Sequence, residues 1–139
     1  YHIPHGQANA ILLPPVLRWS LPACTPRLAR LARHVGVEAK SDGDKARAAG
    51  FIDAVQTLND RLDIPRTLAA LKAVDIPSLA KAACWEADTN YPVPRRMSQE
   101  DAEGLLRAVL PGAPKPATRR AARKKPAARK SMVRSARKV

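Results

Sequence analysis

The composition of this chain breaks at one point, and that break sets how much of the chain can fold around a core. Residues 1–112 carry 14 Lys/Arg and 12 Asp/Glu, whereas residues 113–139 carry 11 Lys/Arg and no acid. The second stretch is Ala, Lys, Arg and Pro with almost no large apolar side chain. It buries too little apolar area to offset the entropy of ordering it, so a disordered basic tail is expected there. Residues 1–112 remain, enough for one modest domain. Their charge is nearly balanced, so only the tail invites a polyanionic partner.

Within residues 1–112 no window alternates apolar and polar side chains with a period of two. The chemistry of caps and breakers predicts an all-α domain of about six helices instead. Gln7 to Trp19 reads as a helix bent or broken at Pro14-Pro15, because proline lacks a donor and clashes with the preceding turn. Leu21 to Cys24 reads as a connector. Thr25 as N-cap and Pro26 at the first helical position open the next helix, which carries Leu28, Leu31, Ala32 and Val35 and stops at Gly36. Ser41 to Leu62 is the strongest helix. Ala48, Phe51, Ile52, Val55, Leu58 and Leu62 form its apolar stripe, and Asp53, Asn59, Asp60 and Asp63 are assigned to a solvated face.

Further along, Ile64-Pro65 breaks that helix. Thr67 is expected to cap a short one bearing Leu68 and Leu71, ended by Asp75. Asp75-Ile76-Pro77 restarts a helix through Cys84. Residues 88–96 are expected to be irregular because of Pro92 and Pro94. Ser98 with Asp101 is the aspartate form of a capping box. It opens a last helix with Ala102, Leu105, Leu106 and Val109 on its packing face and Pro111-Gly112 as its stop.

Chemistry is suggested only by the stretch from Tyr1 to Pro15. His5 sits between Pro4, which fixes a torsion, and Gly6, which permits a tight turn or the close approach of a ligand. An imidazole held this way at a helix start suits a metal site, and helix starts also collect anions. The pair His2-x-x-His5 is weak by itself, because no Cys, Asp or Glu stands nearby at ligand spacing. His2 is read as a surface residue and His34 as a surface or dipole-complementing one. Cys24 and Cys84 are isolated thiols without C-x-x-C spacing, as in a reduced, cytoplasmic protein. Cys84 has no neighbouring His to serve as a base and reads as a buried structural thiol. No run approaches the ~18 apolar residues of a membrane span, and no secretory leader is visible.

Pro4, His5, Gly6, Asn9, Ala10, Leu13 and Pro14 spell P-H-G-x-x-N-A-x-x-L-P. This resembles the second signature of the iron-containing (group III) alcohol dehydrogenases. Ile64-Pro65-x-Thr67-Leu68 looks like that family's G-I-P-x-T-L turn, with Asp63 in place of the usual Gly. Asp88 to Arg95 looks like its late T-N-P-R segment, with Tyr-Pro-Val inserted. The three segments span roughly residues 1–110. The resemblance implies a helical C-terminal domain of the dehydroquinate synthase-like kind. It implies a divalent metal, usually Fe2+, held by one Asp and three His, of which the last maps onto His5. It also implies hydride transfer between a small alcohol or aldehyde and NAD(P), with possible homo-oligomers. The other ligands and the glycine-rich nucleotide loop lie upstream in the family pattern. The chain therefore reads as a fragment, inactive alone, whose nucleotide-binding domain is absent. Asn90 and Arg95 fall in a segment that in the family lies near the cleft and helps close the substrate pocket; the insertion prevents carrying over a contact residue by residue, and a cap or surface role stands beside that reading.

A rival reading makes the tail the active part. Ala117 to Lys130 resembles the low-complexity tails of linker-histone-like proteins. With no aromatic for base stacking, nucleic-acid binding through residues 113–139 would be phosphate-driven and blind to sequence.

Overall fold

The structure, a computed structural model, describes residues 2–37 and 43–112. Among them stand four α-helices: α1 (His5–His34), α2 (Asp44–Arg61), α3 (Ile76–Asn90) and α4 (Gln99–Ala108). A single 3-10 turn, Ala73–Asp75, leads into α3. No strand occurs among the described residues. The class is all-α as expected, but with four helices rather than about six. The expected tail and Ser41, the expected start of the second long helix, lie outside the described residues.

The largest departure is α1. It runs 30 residues without interruption through Pro14, Pro15, Pro22 and Pro26. Of the bend or break expected at Pro14-Pro15 no break occurs, and the connector at Leu21–Cys24 and the new start at Thr25 are absent. A proline in a helix interior orphans the carbonyl four residues back. At Pro14 a side chain from another helix answers that loss. Asn59 Nδ2 of α2 donates to the carbonyl of Ala10 at 2.7 Å, where Pro14 has no hydrogen to give. Asn59 is only 7% exposed, so its assignment to a solvated face is corrected.

Further along α1 the carbonyls of Trp19, Ser20 and Leu21, none of them four residues before a proline, also accept side-chain bonds, from Arg95 Nη1 (3.0 Å), Cys24 Sγ (3.1 Å) and Thr25 Oγ1 (2.6 Å). Thr25 thus bonds back within α1 instead of capping a new helix. The expected stop at Gly36 is present. Its φ is +68°, its amide donates to the Arg33 carbonyl, and the Val37 amide reaches the Ala32 carbonyl at 2.9 Å. This is a Schellman closure.

Helices α1 and α2 pack as an antiparallel pair. Cys24, Leu28 and Ala29 meet Ala48 and Ile52, and the alanines let the backbones come close. The buried positions of α2 are Ala48, Ile52 and Asn59, a register that turns Leu58 and Leu62 outward. These two leucines, expected in the core stripe, are 53% and 61% exposed. The C-terminus of α2 closes like that of α1. Asp63 takes φ +54° and the Ile64 amide donates to the Asn59 carbonyl at 3.0 Å.

A second core gathers Ile11, Leu68, Leu71, Ile76 and Val109. The Leu68 amide donates to the Val109 carbonyl at 2.8 Å. That long-range bond holds the segment after Pro65 as a turn, so the short helix expected from Thr67 does not form. Helix α3 continues to Asn90, and residues 88–90 are therefore helical rather than irregular. Tyr91, preceding Pro92, is extended as a residue before proline prefers. Helix α4 begins with both bonds of the expected capping box. The Asp101 amide donates to Ser98 Oγ at 3.1 Å, and the Ser98 amide donates to Asp101 Oδ2 at 3.2 Å.

Candidate functional site

His5 is the first residue of α1, following Pro4 at φ −53°. Its side chain is exposed, and no acid stands in the first turn of α1 to offset the positive end of the helix dipole. Asn9, one turn on, places its amide nitrogen 3.2 Å from Nδ1 and 3.4 Å from Nε2 of the ring. The i, i+4 spacing puts both side chains on one strip of α1. A Cβ at Gly6 would meet nothing within 4 Å, so the space beside His5 is open.

Beneath this end of α1 lies the turn that follows Asp63. A cleft of about 280 Å³ is lined by His2, Pro4 and Gln7 on one side and by Pro65 and Thr67 on the other. The first two motif segments therefore meet around the start of α1. The third does not join them. Arg95 lies against the middle of α1, its guanidinium 4.1 Å from the centre of the Trp19 ring and bonded to the Trp19 carbonyl. Asp101 belongs to the same knot. The Ser98 hydroxyl and amide, joined by the Trp19 indole and the Arg95 charge, hold its carboxyl below the usual carboxylate range. Trp19 gave no signal in the sequence, because its partners lie some eighty residues away. Asn90 ends α3 and is exposed.

The other residues with metal or nucleophile chemistry stand apart from His5. His34 closes α1, and 29 residues at 1.5 Å each put it roughly 40 Å away. His2 is exposed, with φ +51°, and lines the cleft. Cys24 is buried. Cys84, read as buried, is half-buried with Sγ 3.5 Å from the Met97 carbonyl, and both thiols are free. Among the described residues no three His, Cys, Asp or Glu side chains come together as a metal site. The imidazole of His5 fits one position in the shell of a divalent ion, and among the described residues it belongs to no group of three such ligands.

A larger cleft, about 460 Å³, opens between α1 on one side and α3 and α4 on the other. Among the described residues no helix is long and apolar enough to cross a membrane.

Comparison with known proteins matches residues 1–110 to the Fe-containing alcohol dehydrogenase family, C-terminal. The chain belongs to this family. It is 38% identical over 103 residues to the lactaldehyde reductase of Escherichia coli, covering 73% of this chain and 27% of that enzyme. It is 32% identical over 118 residues to the 1-propanol dehydrogenase PduQ of Salmonella typhimurium, covering 79% of this chain and 32% of that enzyme. Alcohol dehydrogenase 4 of Saccharomyces cerevisiae is 36% identical over 91 residues, 63% of this chain and 22% of its own length. The chain thus spans about a third or less of these iron-type dehydrogenase relatives. All three motif segments and all four helices fall within the matched region.

Proposed function

We propose that this chain is the helical part of a metal-dependent alcohol dehydrogenase, and that His5 gives that enzyme one ligand of a divalent metal, iron by family. The complete enzyme moves a hydride between a small alcohol or aldehyde and NAD(P). The observation that carries the reading is the placement of His5. It lies exposed at the first position of a helix, beside open space at Gly6, within a motif and a matched region that belong to this family.

Each residue of this chain has a limited task. His5 presents a ring nitrogen outward, Asn9 restrains the ring from one turn away, and Pro4 fixes the backbone entering α1. When bound, a divalent ion in such a site polarises an alcohol or carbonyl oxygen as a Lewis acid. The remaining ligands and the nucleotide site come from sequence that this chain does not contain. The relatives named for lactaldehyde, 1-propanol and 1,3-propanediol support a short-chain substrate. The two free thiols support a reducing, cytoplasmic setting.

The test is metal content and turnover. The 139-residue chain alone is expected neither to retain iron on dialysis nor to oxidise alcohols with NAD or NADP. Joined to the upstream part of its own enzyme, it is expected to do both. His5→Ala in that complete enzyme then removes most metal and most activity, while His2→Ala and His34→Ala cost much less. Full iron content in His5→Ala would discard the assignment.

A further inference from the structure

Among the described residues Asn9 is the one side chain that bonds to His5, and His5 is the one partner of the Asn9 side chain. Asn9 stands in the second turn of α1 and is exposed, so little packing depends on it. Asparagine is a poor helix former because its amide competes for nearby backbone groups. This amide takes no backbone group and turns to the imidazole one turn earlier.

Asn9 Nδ2 lies 3.2 Å from Nδ1 and 3.4 Å from Nε2 of the ring. The in-plane bonding directions of the two ring nitrogens diverge, and Cε1 stands between them. A donor in the ring plane can therefore serve one nitrogen and not both. The near-equal distances put the amide across the face of the ring, committed to neither nitrogen. Both in-plane positions stay open to another partner.

An imidazole that holds a metal through one nitrogen carries its proton on the other, and that N–H needs an acceptor to fix the ring. Among the described residues no carboxylate and no backbone carbonyl is bonded to His5, and the acceptor within reach is Oδ1 of Asn9. The terminal torsion of asparagine is broad and roughly two-fold, so Oδ1 and Nδ2 exchange places at little cost. We infer that Asn9 is a positioning residue for the metal ligand His5: its amide oxygen accepts the imidazole N–H left over when the other ring nitrogen binds the ion. The bond sets the tautomer and the direction of the ring. This inference rests on the assignment of His5 as a ligand and gives that ligand its outer partner.

The complete enzyme, with this chain joined to its upstream part, provides the test. It is loaded with zinc, a redox-inert probe, and zinc affinity is measured by competition with a chelator. Asn9→Leu is expected to weaken zinc binding by about 10–100-fold, the usual loss when the outer partner of a ligating histidine is removed. Asn9→Asp keeps an acceptor and is expected to hold zinc at least as tightly as the unmutated enzyme. Circular dichroism melts establish that both variants keep their helices, and leucine is the better helix former. Proton NMR of the zinc-loaded enzyme reads the bond itself. The ring N–H of His5, identified by its absence in His5→Ala, is expected to exchange slowly with water in the unmutated and Asn9→Asp forms and faster in Asn9→Leu. Zinc affinity within about twofold of the unmutated value in Asn9→Leu overturns the inference. Equal losses in Asn9→Leu and Asn9→Asp also overturn it, because they would mark a residue that only supports the helix. His5→Ala separates the two claims. If it keeps its zinc, the ligand assignment fails. If it loses zinc while Asn9→Leu keeps it, only the role of Asn9 fails.

Discussion

The side-chain amide of Asn59 occupies the hydrogen-bonding place that Pro14 leaves empty, donating to the Ala10 carbonyl at 2.7 Å across two helices. Replacing Asn59 by Leu strands that carbonyl in the α1–α2 interface. The expected loss is about 1–3 kcal/mol, the penalty of an unsatisfied buried polar group. In a Pro14→Ala background the helix supplies its own amide, and the same substitution is expected to cost clearly less. Urea unfolding of the four proteins in this cycle gives the coupling. Equal costs in both backgrounds would mean that the bond does not substitute for the missing amide.

Asp63 holds a left-handed backbone, φ +54°, at the closure of α2. An L-residue is disfavoured there and Gly is not, although Gly also loses more entropy on folding. Asp63→Gly is therefore expected to raise stability by roughly 0.5–1 kcal/mol. Thermal melts check it, and a lower melting temperature would contradict it.

The opening of α4 predicts a response to acid. The Ser98 hydroxyl bond is the leading cause that depresses Asp101, with the Ser98 amide, the Trp19 indole and Arg95 adding to it. A carboxyl whose folded pKa lies below its unfolded value near ~3.9 stabilises the fold above that value. The contribution is lost as pH falls through the folded pKa. Unfolding midpoints measured from pH 6 down to pH 2 should thus fall less in Asp101→Asn than in the unmutated chain. Ser98→Ala is expected to cost about 1 kcal/mol at neutral pH.

Arg95 ties the loop after α3 to Trp19 by stacking and by a bond to its carbonyl. Arg95→Ala is expected to lower stability by about 1 kcal/mol, the scale of an exposed cation–π contact with a charged hydrogen bond. In a Trp85→Phe background the fluorescence of Trp19 should change as well. An unchanged emission would mean that the guanidinium does not rest on the ring in solution.

These residues also explain what the sequence made legible. The capping box at Ser98 and Asp101 and the stop at Gly36 are decided within a few residues, so their chemistry can be read along the chain. The motif around His5 is equally local. Pro14 misled because its remedy is tertiary: Asn59 stands far along the chain from the turn it repairs. Thr67 failed as a cap for the same reason, since the Leu68 amide is claimed by Val109. The 460 Å³ cleft has walls from three helices and no motif of its own, so no local pattern announced it.

Charge alone yields an expectation for residues 113–139, which lie outside the described residues. Eleven cations without an acid should bind duplex DNA weakly, without sequence preference and with a steep loss on adding salt. Deleting residues 113–139 should abolish the binding in a filter or polarisation assay. Binding that outlasts the deletion, or that resists ~0.5 M salt, would place the contact on the helices instead.

The bond between Ala10 and Asn59 spans 49 positions, and that separation has a temporal side. A ribosome delivers the turn interrupted by Pro14 several seconds before it delivers Asn59, at ~5–20 residues per second. During that interval the first turns of α1 have a carbonyl with no donor and a proline clash with nothing to brace it. The rest of the chain can begin to order, but this end waits for α2 to close over it. The helix start that carries His5 is made before α2 and completes its bonding only once α2 has arrived.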